Sequence, residues 1–244
     1  MPPPAPPLPD TSREEASAVY FPACINRIFA SPDGGSLPAA LVEVSARAGL
    51  PLWIPPDVSG RCCGVPWSSK GFREGHHRMA ATMAESLWRW TGNGELPLVV
   101  DASSCTQGIA DVAPRSFEII DSVAWAAERL LPELEVRRRV RSVAVHPTCS
   151  TRHMELTGAL EGLASALAEE VIVPRRATCC GFAGDRGFLH PELTEAATRE
   201  EAEEVRSRQF DAHVSSNRTC ELGLERATGR QYTSVVHLLE ELTR

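Results

Sequence analysis

Apolar positions recur along the chain with two periods, and the two alternate. Short runs of consecutive or β-branched apolar residues lie at 18–21, 51–55, 98–101, 143–146, 171–174 and 212–215. Their length and bounding prolines read as buried strands. Between them, apolar residues return every three to four positions over 37–50, 72–90, 156–169 and 191–209, the period of an amphipathic helix. Pro191 opens the last of these where a missing N–H costs little. Short helices are expected after Cys105 and Cys220, and 122–131 and 234–243 each open on a Ser suited to N-capping. Strands alternating with helices predict parallel βαβ units.

The same order of elements occurs twice, and the cysteines mark the repeat. They stand at 24, 62, 63 and 105, and again at 149, 179, 180 and 220. Each half reads C, then CC, then C. Phe21-Pro22-Ala23-Cys24-Ile25-Asn26-Arg27 pairs with His146-Pro147-Thr148-Cys149-Ser150-Thr151-Arg152. Cys62-Cys63-Gly64 pairs with Cys179-Cys180-Gly181, Asp101-Ala102-Ser103-Ser104-Cys105 with Ser215-Ser216-Asn217-Arg218-Thr219-Cys220, and Ser122-Val123 with Ser234-Val235. Four anchors in one order indicate a duplication. The expected fold is therefore α/β: two tandem Rossmann-like βαβ lobes with parallel sheets, related by a pseudo-twofold axis. The lobes are drawn at 18–140 and 141–244. Residues 1–17, Pro-rich and then charged, are expected as a disordered tail or linker. Ligands of such sheets collect beyond the carboxyl ends of the strands. Each cysteine site follows a predicted strand, so three loops per lobe should converge at one sheet edge.

Composition narrows the chemistry. With 244 residues the chain can bury a core without disulfide staples. The net charge is −7, and the longest basic run is Arg137-Arg138-Arg139, which argues against nucleic acid as a partner. Lys70 is the one lysine among 25 basic residues, in keeping with a base-composition bias in the coding sequence. The first ten residues, MPPPAPPLPD, have neither the basic nor the apolar region of a signal peptide. A cytoplasmic protein is expected, at most peripheral to the inner face of a membrane through partners. In a reducing compartment eight cysteines point to metal or redox chemistry.

Four thiols per lobe fit an iron–sulfur cluster, a tetrahedral zinc site or disulfide chemistry between the adjacent cysteines. The bland alternative is small buried hydrophobes, which gives no reason for cysteine at matching places in both halves. Zinc sites usually show CxxC knuckles, absent here.

The duplicated pattern resembles the cysteine-rich CCG family, which repeats C…CCG…CxxC. That family includes the cysteine-rich subunit of heterodisulfide reductase and the iron–sulfur subunits of glycolate oxidase and anaerobic glycerol-3-phosphate dehydrogenase. The strings VYFPACINR, IPPDVSGRCCGVPWSSKG, VVDASSCTQG, HPTCS, TCCGFAGDRG and SSNRTCELGLERATG are most similar to the C-terminal iron–sulfur region of FAD-linked D-lactate (D-2-hydroxyacid) dehydrogenases. The resemblance implies iron–sulfur clusters, one or two, of the 4Fe–4S type. Cys24, Cys62, Cys63 and Cys105 would hold one, and Cys149, Cys179, Cys180 and Cys220 the other. It implies FAD on a partner domain or subunit, a ferredoxin-type iron–sulfur domain, and a cytochrome or quinone as electron acceptor. In both halves the family's CxxC lacks its second cysteine, with Gly108 and Gly223 in those places. Four thiols per lobe stand where heterodisulfide reductase uses five per cluster. Two other readings stay open: a catalytic disulfide- or quinone-reducing module, and a zinc-stabilised docking scaffold.

Four arginines lie near the cysteines in sequence. Arg27 and Arg152 follow the first Cys of each half by three residues, Arg61 abuts the CC pair, and Arg218 precedes Cys220 by two. Guanidiniums there would stabilise a reduced, negatively charged cluster; ion pairing with surface Glu is the alternative. His76-His77 reads as one solvated and one packed side chain, and His146, replaced by Phe21 in the repeat, as dispensable to the shared site. Trp67 is placed near a cluster or an interface, and Trp88, Trp90 and Trp125 in the core.

Overall fold

The computed structural model describes residues 2–244. It contains two four-stranded, all-parallel sheets of identical strand order. In the first, β1 (Ala18–Phe21), β2 (Leu52–Trp53), β3 (Leu98–Val100) and β4 (Ile119–Asp121) are arranged β2-β1-β3-β4. In the second, β5 (Val140–Val145), β6 (Ala168–Ile172), β7 (Ala212–Ser215) and β8 (Thr233–Ser234) are arranged β6-β5-β7-β8. Val19 pairs with both Trp53 and Leu98, and Val143 with both Val171 and Ala212. These are two tandem Rossmann-like lobes. The central strands are buried on both faces, so Ala18, Val19, Tyr20 and Leu98–Val100 read as continuous apolar runs, as parallel sheets require.

The fourth strand of each sheet is absent from the apolar pattern. It has three residues in the first lobe and two in the second, too short for a period to register. β4 ends on Asp121, and that residue caps the following helix by accepting from the Val123 N–H. Ser122, expected in that role, is the helix's first residue. Ser234 does cap its helix, accepting from Val236.

The lobes meet about a pseudo-twofold axis. Helix Leu37–Arg47 of the first packs on Val235–Thr243 of the second, and helix Thr157–Leu167 packs on the turns from Ser122 to Leu130. Helix Ser103–Ala110 lies on Cys149–His153, and Arg218–Thr228 lies on Cys24–Ile28. At the centre, a buried hydroxyl chain joins Ser103, Thr148, Thr151 and Ser216 through bonds of 2.8, 2.7 and 2.7 Å. Arg47–Glu240 and Lys70–Asp185 ion pairs, at 2.9 and 2.6 Å, close the outer edges.

The Pro-rich segment departs from the free tail expected of it. Ala5 N–H donates to Ile28 O, Ala30 N–H to Pro3 O, and Ile54 N–H to the Thr11 hydroxyl. Leu8 packs against the core and Arg13 stacks on Trp53. Proline removes donors but leaves carbonyls and apolar rings, and an edge that supplies N–H groups can use both.

Candidate metal centres

Each sheet's chain path reverses at its first strand. β1 connects outward to β2 on one side, and β2 crosses back to β3 on the other. The carboxyl ends of β1 and β3 flank this switch point, where open α/β sheets bind ligands. Cys24 follows β1 and Cys105 follows β3. The Cys62-Cys63 pair reaches the same place on a loop from β2. In the second lobe Cys149, Cys220 and Cys179-Cys180 take the equivalent places after β5, β7 and β6. All eight cysteines are unpaired by disulfides.

Four of the thiols lie in the first turn of a helix. Cys24 and Cys149 are the first residues of theirs; Cys105 and Cys220 are the third of helices that begin before them. The helices expected after Cys105 and Cys220 thus include both residues. Unsatisfied N–H groups at a helix start favour negative charge, and so favour thiolate.

Within each lobe one pair of thiols is hydrogen-bonded, and the other two thiols act on it as neighbours. Cys63 donates to Cys105 over 3.1 Å, and Cys180 to Cys220 over 2.9 Å. The neighbouring Cys24 and Cys63 thiols hold Cys62 far below the ordinary thiol range, while the partnership with Cys62 pushes Cys24 up. Cys179 is held down in the same way by Cys149 and Cys180, and both neighbours are raised. Cys220 is lowered to about 6 by the bond from Cys180, against the effect of burial. Each lobe therefore pairs proton-holding thiols with thiolates. Among the described residues no three His, Cys, Asp or Glu side chains stand ready around a single metal ion. What fits an iron–sulfur centre is the donor set: four thiols per lobe, from three loops, with Cys62, Cys179 and Cys220 already lowered.

The CCG glycines have a backbone reason. Gly64 has φ +83° and Gly181 φ +69°, in the left-handed region. That turn points the Gly64 N–H at Cys62 Sγ over 3.5 Å and the Gly181 N–H at Cys179 Sγ over 3.4 Å. Gly108 and Gly223, in the places of the missing cysteines, have a steric one. A Cβ on Gly108 would lie 2.3 Å from Val65 Cγ2, and on Gly223 2.9 Å from Thr194 Cγ2. Here Val65 and Thr194 pack against the helix of the fourth cysteine where a fifth side chain would project.

The arginines divide by role. Arg27 donates to Val58 O (2.9 Å) and Arg61 O (2.7 Å), bracing the loop that enters Cys62; its charge adds to the lowering of Cys62 and opposes the rise of Cys24. Arg152 braces the equivalent loop through Ala177 O at 2.8 Å. The expectation of a place beside the thiols does not extend to Arg61 and Arg218. Arg61 pairs with Asp57 at 3.4 Å, and buried Arg218 pairs with Glu221 and Glu225 at 3.2 and 3.0 Å. Carboxylates within reach compete for these guanidiniums.

Other residues near the thiols carry no sequence signal. Buried Asp101, after β3, accepts from Tyr20 OH (2.5 Å) and Ala23 N–H (2.7 Å), fixing the turn that leads into Cys24. Burial raises its carboxyl to about 6 against those bonds. Ser216 takes its place in the second lobe, four residues before Cys220, and its neighbour Ser215 donates to His146 O. His146 is fully buried, bonded through Nδ1 to Glu201 at 2.7 Å, and near the Cys220 thiol. Burial pushes its imidazole down, but the nearby Cys220 thiol and the bond to Glu201 outweigh this and raise it to about 9. His76 lies over the Gly64 turn, and Trp67 stacks on Gly75, half exposed. Trp90 and Trp125 are buried as expected. Trp88 is 42% exposed, lying edge-on to Phe117 at the surface.

A cavity of about 290 Å³ opens onto Cys24, Cys63 and Cys105. Ile25, Ile28, Phe29 and, from the second lobe, Phe188 wall it.

A family model described as a cysteine-rich domain, CCG, matches residues 18–110 and 143–225, one match per lobe. The chain belongs to the CCG family of cysteine-rich domains. One subunit of the anaerobic glycerol-3-phosphate dehydrogenase of Escherichia coli K12 is 25% identical over 198 residues, covering 74% of this chain and 49% of that protein. The glycolate oxidase iron-sulfur subunit of the same organism is 27% identical over 218 residues, covering 83% and 52%. The CCG chain spans about half the length of these curated relatives. A glutamate racemase of Bacillus anthracis covers 93% of the chain and 80% of its own at 14% identity and TM-score 0.38, a likeness that carries no argument. No helix among the described residues is long and apolar enough to cross a membrane.

Proposed function

We propose that this CCG chain is an iron–sulfur electron-transfer module that works beside a flavin-bearing dehydrogenase. The convergence of four thiols at the switch point of each lobe carries this reading. Cys24, Cys62, Cys63 and Cys105 hold one centre, and Cys149, Cys179, Cys180 and Cys220 the other. A 4Fe–4S centre takes up and releases one electron without protein covalent chemistry. The protein holds the thiolates in place with helix N-termini and with the Gly64 and Gly181 N–H groups. Arg27 and Arg152 keep the CC loops seated. Metal binding displaces the protons that Cys24, Cys63, Cys149 and Cys180 hold.

The two Escherichia coli relatives, one of them an iron–sulfur subunit, support such a module. In this reading a partner domain or subunit carries FAD and oxidises a D-lactate-type 2-hydroxy acid. Electrons pass through a ferredoxin-type domain and this chain to a cytochrome or quinone, in a cytoplasmic protein that reaches the membrane only through partners. The lobes correspond to 18–140 and 141–244. The test is anaerobic purification with iron and sulfide quantification. Brown protein with both is expected; colourless protein after anaerobic reconstitution overturns the reading. Stoichiometric zinc instead identifies a docking scaffold.

The apolar cavity over Cys24, Cys63 and Cys105 favours a second reading, in which the first centre reduces a small disulfide or quinone. Gly108 and Gly223 weigh against kinship of chemistry with five-cysteine centres. Turnover of such a substrate by the isolated chain decides between the two readings.

A further inference from the structure

The two lobes protect the edges of their sheets differently. An open edge strand presents unpaired N–H and C=O groups and has to be covered or charged. In the second lobe the edge strand β6 carries exposed Glu169 and Glu170. Its counterpart β2, Leu52–Trp53, has no charge of its own. Residues 3–13 lie across that side of the first lobe instead. Arg13 stacks on Trp53 at 5.1 Å, Leu8 packs against the core, and the Thr11 hydroxyl accepts from Ile54 N–H at 2.8 Å. Pro4 forms an antiparallel bridge with Phe29: Ala5 N–H donates to Ile28 O at 2.9 Å, and Ala30 N–H to Pro3 O at 3.0 Å.

Both anchor points belong to thiol-bearing segments. Ile28 is the last residue of the helix that begins at Cys24, and Ile28 and Phe29 wall the cavity over Cys24, Cys63 and Cys105. Ile54 opens the loop that runs from β2 to Cys62. Residues 3–13 thus tie two of the three cysteine-bearing segments together. Among the described residues the second lobe has no such tie. There the segment before β5 is held to the last helix, Arg137 N–H donating to Leu242 O. The end of helix Cys149–His153 is closed by its own turn, through the Met154, Glu155 and Leu156 N–H groups. Thiol exposure follows the same asymmetry. Cys24 and Cys62 are half-buried, whereas their counterparts Cys149 and Cys179 are exposed. Packing between the lobes does not explain this, because it is itself paired: helix Ser103–Ala110 lies on Cys149–His153, and Arg218–Thr228 on Cys24–Ile28.

We propose that residues 3–13 are a positioning strap for the first-lobe centre: they seat the Cys24 helix and the Cys62 loop and make that centre the sheltered one of the pair. The second-lobe centre, on Cys149 and Cys179, is the one open to solvent. The account of two centres rests on the iron–sulfur reading above; the seating of the thiols does not.

The test is timed alkylation of the whole chain, reduced and metal-free, with iodoacetamide, read cysteine by cysteine by mass spectrometry. Each thiol is compared with its counterpart in the repeat. In the wild type, Cys149 and Cys179 should label about threefold faster or more than Cys24 and Cys62, since labelling follows access. Ala5→Pro deletes the N–H given to Ile28 O, and Thr11→Val the acceptor of the Ile54 N–H. Together they should raise the Cys24 and Cys62 rates by about threefold or more and leave Cys149 and Cys179 unchanged. Thr11→Ser, which keeps the hydroxyl, should label like the wild type. If the double variant does not fold, Thr11→Val alone carries the same expectation. Unchanged Cys24 and Cys62 rates, or an equal rise at all eight cysteines in a folded variant, overturn the strap. After anaerobic reconstitution, a chain with only the first centre, through Cys179→Ser, should yield iron to a ferrous chelator more slowly than one with only the second, through Cys62→Ser. Adding Ala5→Pro and Thr11→Val should remove that difference. Equal release from the two chains overturns the sheltering of the first centre. A wild-type chain that binds no iron overturns the iron–sulfur reading instead, and the alkylation result then decides the seating of the thiols.

Discussion

Removing the Arg27 side chain should unseat the loop that delivers Cys62 and Cys63. Its guanidinium makes two bonds to that loop, 2.9 Å to Val58 O and 2.7 Å to Arg61 O, and lies over the Phe21 ring at 5.8 Å. Hydrogen bonds from a charged donor contribute about 1.5–3 kcal/mol each, and less where water can replace them. Arg27 is half-buried, so Arg27→Ala should cost about 2–4 kcal/mol of stability. Arg152 offers a built-in comparison, being exposed and bonding one carbonyl, Ala177 O, at 2.8 Å. Arg152→Ala should cost about 1 kcal/mol. Arg27→Lys keeps the charge but cannot span two carbonyls, so it should recover less than half of the loss. Urea unfolding of the metal-free protein reads these differences, and iron per chain after reconstitution reads their effect on the first centre. A loss below about 0.5 kcal/mol for Arg27→Ala, or equal losses for the two arginines, refutes the bracing role.

Three further outcomes follow from the same geometry. Gly64→Ala and Gly181→Ala each force a left-handed residue, at about 1–2 kcal/mol. Gly181→Ala should be the worse in a urea melt, because its Cβ meets Ala197 Cβ at 2.8 Å. Gly108→Cys, which restores the family's fifth cysteine, should lower stability without adding iron, since the new Cβ falls 2.3 Å from Val65; a gain in iron would contradict the packing. Burial raises Asp121 from 3.8 to about 6, outweighing the bonds from Val123 and Thr106. Its contribution to stability is therefore present below the unfolded value and lost as pH rises through 6. Asp121→Asn should flatten the stability profile between pH 4 and 6, by up to about 1.4 kcal/mol per pH unit; an unchanged slope refutes this.

The architecture is legible because the duplication writes it twice. Strands such as 98–101 and 212–215 and the long helices differ from the structure by a few residues at most, since apolar period and prolines mark them. β8, with two residues, carries no period, and the fate of residues 2–17 depends on N–H groups offered by Ile54 and Ala30, far from the prolines themselves. At the site, type and spacing are enough to find the thiols. They misplace Arg61 and Arg218, because Asp57 and Glu221 compete for these guanidiniums only in three dimensions. His146 and Glu201 are 55 residues apart, and nothing in the sequence couples them.

If each lobe holds its own centre through four thiols, the two centres should be separable by mutation. Iron and acid-labile sulfide should be counted, with EPR, in anaerobically reconstituted wild type, Cys62→Ser, Cys179→Ser and the double variant. Two centres are expected in the wild type, one of each kind in the single variants, and none in the double variant. Wild type without iron, or single variants that keep the full complement, would contradict four-thiol centres in separate lobes.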